Sequence, residues 1–409
     1  MPTLALLLIF GIYFTYRIRL FRPAALKSVL KDTVFSLRSG KNDGISPLSA
    51  AATAIGGTVG VGSIIGVGYG IAVGGAGSIF WMWVCSLFGM GLKYAETEIA
   101  LKHREKINKT YVGGAFLRLK KLGYPLLSYL FCVFCILASF GTGNLTQIGA
   151  ITDCASLVIS DKSSVLLASS LLIAITVFGG KKLIARLNSV AVPVASVAYI
   201  AATVCILILN RDGVLPSLAL IFRSAFGLDA VSGGVSGATI ALSLREGFAR
   251  SMFSNESGMG SSPLAHATVS DSQGKKQAKW GIFEVFFDTF VVSTLTALCL
   301  LSSKNNSVES MFAQSFGGVF GGIFVVLLAL FAFASVISWC YYAECCMDFL
   351  FNGKKIPKLI YRALFSCSPF FALLFSGDGV FLLSDIFNAL MLFINLFLLF
   401  KCRKETERI

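Results

Sequence analysis

The chain is poor in the residues that enzymes and nucleic-acid-binding proteins commonly use. Only two histidines occur, His103 and His266, so no zinc-type cluster can be assembled around them. Neither a phosphate-binding glycine loop with its lysine nor the nucleophile elbow of a serine hydrolase is present. A membrane enzyme would need a catalytic constellation, which two histidines and scattered carboxylates do not supply. Charge is scarce: 14% of the 409 residues are Asp, Glu, Lys or Arg, 56% are hydrophobic, and mean hydropathy is +0.78. That balance excludes an ordinary soluble domain and implies an all-α polytopic membrane protein. The eleven cysteines do not imply disulfides. Cys85, Cys132, Cys135, Cys205, Cys299 and Cys340 fall inside apolar runs, where cysteine packs as a small hydrophobe, and the Cys345-Cys346 pair reads the same way.

Apolar runs lie near 2–16, 48–72, 78–101, 124–152, 163–179, 188–209, 228–250, 281–301, 318–343, 360–375 and 379–400. They predict eleven transmembrane helices, the first short for a bilayer of about 30 Å. A signal peptide would carry basic residues before its apolar run; here Arg17, Arg19, Arg22, Lys27 and Lys31 follow it. The net charge of +14 reads as topology rather than as a nucleic-acid surface. Threading eleven spans with the N-terminus outside places every basic residue on the cytoplasmic side except Lys162, Arg211, Arg223 and Lys304. The C-terminus is then cytoplasmic, and the location is the cell membrane.

From Ile45 to Leu92 there is no charged residue and no histidine, yet glycine recurs at 56, 57, 60, 62, 66, 68, 70, 74, 75 and 77. The run accommodates two spans of about 20 residues with a turn at Gly74-Gly75-Ala76-Gly77. The second span, from about Ser78, reads as an ordinary lipid-facing helix (IFWMWVCSLFGMGL). The first, TAIGGTVGVGSIIGVGYGI, has too many glycines for an intact helix, since each costs about 1 kcal/mol relative to alanine. Unwound backbone at membrane depth persists only where protein or a water-filled cavity satisfies its amides, and such breaks are where transporters hold ligands. A second glycine-rich stretch, Asp229-AVSGGVSGATIALSL, begins the second half and contains Gly233, Gly234 and Gly237. Five spans separate the two stretches. An odd number of spans per half gives the halves opposite orientation, a 5+5 inverted repeat preceded by one extra helix, with the two breaks facing each other near the midplane. The plainer alternative for these glycines is helix packing through small residues. Segment boundaries follow: 1–44 for the extra helix and a basic segment, 45–209 and 210–400 for the repeats, and 401–409 for a tail.

Four stretches are more specific than this architecture: GGTVGVGSIIGVGYGIAVGGAGSIFWMWVCSLFGMGLKYAE, SFGTGNLTQIGAI, GFARSMFSNESGMGSSPLAHA with FDTFVVSTLTAL, and LFAFASVISWCYYAE. Together, in order from about Ser46 to Phe400, they resemble the sodium:alanine (alanine or glycine:cation) symporter family. The resemblance implies a leucine-transporter-like core. It also implies symport of a small neutral amino acid with sodium as the coupling ion, and no other cofactor. It assigns substrate contacts to the break at Gly60, Val61, Gly62 and Ser63, to Gln147, and to Ser335 and Trp339; the repeat pattern adds Gly233 and Gly234 at the second break. Helix N-termini favour a carboxylate, and Trp339 would limit side-chain size. The carbonyls of Gly56 and Val59 with the Ser335 hydroxyl form the implied sodium cage. For Gln147 a helix-helix hydrogen bond is the alternative, and for Trp339 ordinary packing. Where the family commonly reads GTGN, this chain reads Gly60-Val61-Gly62-Ser63, and FAFST becomes Phe333-Ala334-Ser335; each change removes polar ligands.

Asp288 in the eighth span and Asp385 in the eleventh are carboxylates at membrane depth, candidates for handling sodium or protons. Asn255 and Glu256 fit helix capping or gating on the inner side better than substrate contact. A proton-coupled or exchanging carrier with Asp288 as the titrating group is the alternative reading. A passive channel would need a polar lining along a whole span, whereas the polar positions here cluster at mid-membrane.

Overall fold

In the computed structural model, residues 2–34, 45–107, 110–156, 161–227, 236–269, 274–373 and 377–409 are described. Helix α1 (Pro2–Ile18) ends in a turn through Arg19, whose φ of 59° is left-handed, and α2 (Pro23–Asp32) departs at 92°. Ser46 caps α3 (Pro47–Thr58) by accepting the Ser49 N–H at 3.1 Å, and Pro47 takes the first helical position, where its missing donor is not needed. The α3 ladder stops at Val59 and Gly60 and restarts as α4 (Val61–Gly74). The expected discontinuous helix is therefore present. It is followed by α5 (Gly77–Lys102), a two-stranded antiparallel hairpin β1 (Glu105–Ile107) and β2 (Thr110–Val112), and α6 (Ala115–Lys121). The hairpin is a small departure from an all-α chain.

Next come α7 (Pro125–Phe140) and α8 (Thr146–Ala155), one long helix with a π-helical turn at Gly141–Leu145. Helices α9 (Lys162–Phe178), α10 (Gly180–Leu209) and α11 (Arg211–Ala225) follow. The second half holds α12 (Ser236–Asn255), the single turn α13 (Pro263–His266), and α14 (Gly274–Val285). The last runs through a second π-helical stretch, Phe286–Ser293, into α15 (Thr294–Ser302). Helices α16 (Val308–Phe316), α17 (Gly318–Leu350), α18 (Lys355–Cys367) and α19 (Gly377–Lys401) complete the chain.

Among the described residues six helices are long and apolar enough to cross a membrane, and seven if the bent pair α1 and α2 counts as one. The eleven expected spans are not all of this kind. Helix α9 has 17 residues, α5 carries Lys93, Glu96, Glu98 and Lys102 in its second half, and α12 carries Arg245, Glu246 and Arg250. The charged half of α5 is shielded by its neighbours: Lys93 and Glu98 are buried.

The second interruption differs from the expected one. Gly233 and Gly234 lie outside the described residues, while α12 is intact from Ser236 to Asn255. The helix breaks over Glu256 to Ser262 instead, where Glu256, Gly258 and Gly260 all have positive φ. This segment is polar, and hydropathy alone assigns it to a cytoplasmic end. Helix α12 packs along α4, whereas α13 packs on α3 and α5, so the two discontinuous helices run side by side, break against break. Arg245 and Arg250 consequently stand on the α4 side of the breaks, away from the basic face formed by Lys102, Arg118 and Lys121, with which the charge pattern groups them. Asp385, expected to be buried, is exposed on α19, within electrostatic reach of Arg250.

The sequence places glycine where helices touch. A Cβ on Gly91 of α5 would lie 2.6 Å from the backbone nitrogen of Thr15 on α1. One on Gly149 of α8 would meet nothing within 4 Å. Gly91→Ala should destabilise the protein by about 1–3 kcal/mol through overpacking, and Gly149→Ala should stabilise it by up to about 1 kcal/mol through helix propensity. Thermal melting in detergent, with opposite shifts for the two variants, checks both.

Candidate functional site

The break in the first discontinuous helix frees backbone groups in a region without bulk water, and the chain answers most of them with side chains. The Val61 N–H, first donor of α4, meets the Oε1 of Gln147 on α8 at 3.1 Å. Ser335 on α17 donates to the Gly57 carbonyl at 3.2 Å, and the Tyr342 hydroxyl lies 3.3 Å from the Thr53 and Ala54 carbonyls. Gly60 lets these side chains approach: an added Cβ would stand 2.8 Å from Gln147 Oε1 and 3.3 Å from Ser335 Cβ and displace the glutamine. A Cβ on Gly62 would stand 2.9 Å from the Phe253 ring. The expected residues Gly60, Val61, Gly62, Gln147 and Ser335 are thus brought together.

Trp339, one turn beyond Ser335, is fully buried against Gly143, itself one turn before Gln147, and its ring meets Tyr342 edge-on at 5.7 Å. A Cβ on Gly143 would lie 2.6 Å from Trp339 Cγ. Packing in the π-helical turn is what fixes the indole, and its Nε1 completes no hydrogen bond among the described residues.

The Ser63 hydroxyl spans the break, lying 3.3 Å from the Thr58 carbonyl at the end of α3 and donating to Asp288, which sits in the second π-helical stretch and is fully buried. Asp288 accepts from Ser63, from Ser254 at 2.6 Å and from Thr289 at 3.2 Å. The hydroxyls of Ser63 and Ser254 are 2.9 Å apart. Behind Thr289 the chain of oxygens continues through Ser86 at 2.8 Å to Ser251 and Asn255. No Lys, Arg or His pairs with Asp288 among the described residues, which leaves a buried carboxylate ringed by hydroxyls on α4, α12 and the π stretch. Inserting an extra residue per turn is how a π bulge re-aims a side chain, and such bulges frequently mark functional positions. Sequence reasoning finds Asp288 and Ser63 but misses Ser254, although it opens the SNESGMG motif.

Below the site, the broken part of the second helix is pinned to α5. The buried Lys93 ammonium donates to the Glu256 carbonyl at 3.2 Å and to Ser262 at 2.9 Å, and pairs with Glu284 at 3.3 Å. Asn395 of α19 donates to the Gly258 carbonyl and to Glu96, both at 2.9 Å. The Asn255 carboxamide oxygen caps the Ser257 N–H at 3.1 Å, and the Glu256 carboxylate takes the Ser261 hydroxyl at 2.5 Å. Both side chains therefore serve the loop itself. Groups of three or more His, Cys, Asp or Glu able to hold a metal are absent among the described residues.

Two side-by-side discontinuous helices, meeting at an uncompensated carboxylate inside a helical bundle, define a membrane transporter of the leucine-transporter-like fold. The fold agrees with solved structures at low identity. MhsT in complex with L-phenylalanine superposes with a TM-score of 0.60 at 16% identity, covering 88% of this chain and 90% of that one. A substrate-bound Na+-coupled sialic acid symporter gives 0.52 at 12% identity, covering 95% and 84%. The chain belongs to the sodium:alanine symporter family, whose model matches residues 1–407. Among its relatives are an uncharacterized transporter of Haemophilus influenzae, 34% identical over 98% of this chain and 91% of that protein, and the sodium/alanine symporter AgcS of Methanococcus maripaludis, 32% identical over 96% and 90%. A probable sodium/glutamine symporter, GlnT of Bacillus subtilis, is 33% identical over 98% and 85%.

Gly60→Ala should force Gln147 and Ser335 off the break and abolish any ligand-induced thermal shift. Gly66→Ala on the same helix, whose nearest new contact is Arg250 Cδ at 4.0 Å, should preserve it. Differential scanning fluorimetry with a panel of small neutral amino acids compares the two.

Proposed function

We propose that the protein is a secondary transporter that carries sodium with a small neutral amino acid, alanine or glycine, by alternating access. In this reading eleven passes form two inverted five-helix repeats after one extra helix, with the N-terminus outside and the C-terminus in the cytoplasm. The observation that carries the reading is the environment of Asp288. A fully buried carboxylate without a basic partner is costly, and a hard cation with oxygen ligands from Ser63, Ser254 and Asp288 would neutralise it. A second cation position is the cage of Gly56, Val59 and Ser335. It is supported by the carbonyls of Gly56 and Val59, which no donor reaches among the described residues, and by Ser335 lying on the adjoining Gly57 carbonyl.

The amino acid fits between the two half-helices. The amide end of α4 at Val61 and Gly62 favours its carboxylate, and the carbonyl end of α3 favours its ammonium or a coupling cation. Gln147 would release the Val61 N–H to the incoming carboxylate. Phe253 packed on Gly62 and Trp339 packed on Gly143 would bound the substrate on two sides, in keeping with a small cargo such as alanine or glycine. Gly233 and Gly234 keep a proposed role at the second repeat.

One sodium crossing about 100 mV contributes about 2.3 kcal/mol, and a tenfold gradient adds roughly 1.4. Together these concentrate a neutral substrate several hundredfold. Proteoliposomes with an inward sodium gradient should accumulate alanine or glycine, whereas uptake equal with and without the gradient refutes coupling. Asp288→Asn should remove the sodium dependence. The same buried carboxylate favours one other reading, proton coupling. A pH jump at fixed sodium that drives uptake, with no response to sodium at fixed pH, would establish protons in its place.

A further inference from the structure

Away from the transport site, α1, the turn after it and the tail beyond α19 enclose a cleft of about 1070 Å³. One wall is Arg17, Arg19 and Arg22; the other is Lys404 and Arg408, with Lys275 at the edge. The one acidic residue among the lining, Glu407, does not neutralise the arginines. It pairs with Lys102 at 2.8 Å and with Lys275 at 2.5 Å, and hydrogen bonds from those two lysines pull its carboxyl down to about 2. Arg17, Arg19, Arg22, Lys404 and Arg408 meet no carboxylate among the described residues. Arg17 donates to the Lys404 carbonyl at 2.6 Å, which ties the two walls together, and its Nε is buried without a partner among the described residues.

The position of the cleft selects its ligand. It lies where the apolar α1 ends and α2 turns away by 92°, the geometry of a helix leaving a bilayer for its surface. Leu26 and Leu30 of α2 are exposed beside Lys27 and Lys31, as on a helix lying in the interface. Along α1, Ile9, Ile12, Tyr13 and Tyr16 are exposed in a strip that runs into the mouth of the cleft, where Phe21 is also exposed. A soluble anion would use only the basic walls. A phospholipid uses both parts, with its acyl chains on the α1 strip and its phosphate among the arginines. Tyr13 and Tyr16 stand at the level where interfacial aromatic residues sit.

We infer that the cleft between Arg17–Arg22 and Lys404–Arg408 is a binding site for the headgroup of an anionic phospholipid. Occupancy would tie α1 and the tail together across the end of the bundle, on the face that carries most of the basic residues.

The test uses the full chain purified in detergent and exchanged into nanodiscs. Native mass spectrometry and thermal melting are read with phosphatidylglycerol, cardiolipin or phosphatidylcholine, and with glycerol 3-phosphate and inorganic phosphate as soluble arms. The wild type should retain phosphatidylglycerol or cardiolipin at least tenfold over phosphatidylcholine and melt several degrees higher with it. Neither soluble phosphate should reproduce the shift. The triple variant Arg19→Gln, Arg22→Gln, Arg408→Gln removes side chains that make no hydrogen bond among the described residues, and should lose the preference while melting as wild type in phosphatidylcholine. Arg211→Gln, an exposed charge elsewhere, should keep it. If the triple variant does not fold, Arg22→Gln with Arg408→Gln carries the same expectation. Equal retention of charged and zwitterionic lipid, a full effect of soluble phosphate, or an unchanged preference in the folded variants would each overturn the proposal.

Discussion

Val59 and Gly60 leave the helical ladder in a layer where water cannot replace the lost hydrogen bonds, and the architecture around the site follows from that constraint. Several of the freed groups are answered by side chains, most of them from other helices. Gln147 comes from α8, Ser335 and Tyr342 from α17, and Ser63 folds its own hydroxyl toward the π stretch of Asp288. These answers need close approach, which is why glycine sits opposite each of them: Gly60 beneath Gln147, Gly57 against Tyr342, Gly143 beneath Trp339. The glycines cost helix propensity but admit the side chains that make the break tolerable.

The second discontinuous helix solves the same problem with charge. Its unwound residues carry Glu256 and several serines, and they are held by the buried Lys93 ammonium, which bonds the Glu256 carbonyl, Ser262 and Glu284 together. An ammonium buried among one carboxylate and several neutral oxygens is stable only while all of them stay in place. The two breaks are therefore unequal partners. The first is held by neutral hydrogen bonds, and the second by a buried ion pair with its surrounding hydrogen bonds.

This inequality also accounts for what is legible in the sequence and what is not. The first break is legible because glycine interrupts an otherwise uncharged apolar run, a pattern that an uninterrupted lipid-facing helix would not tolerate. Gln147 and Ser335 are reached only through the family resemblance, whereas Asp288 is legible as a carboxylate inside an apolar span. The second break is not, because its cue lies in a polar stretch that reads equally as a loop, while the more conspicuous glycines at 233, 234 and 237 lie upstream. Hydropathy also cannot say toward which neighbour a residue points. Asp385 therefore looks buried like Asp288, and Arg250 groups with a face from which it stands apart. Ser254 is ordinary as a residue type, and only the crossing of α12 with α4 brings it to Asp288.

The hydroxyl ring around Asp288 draws on three separate elements, and this gives the proposed cycle a safeguard against slippage. In the proposed cycle an empty site that stayed ionised would leave an uncompensated negative charge in a dry interior, between half-helices that would have to move relative to each other. Reorientation in that form is energetically penalised, so a carrier holding amino acid but no cation has little tendency to cross. Strict stoichiometry would then arise from the electrostatic self-energy of one side chain, without any dedicated gate to police it.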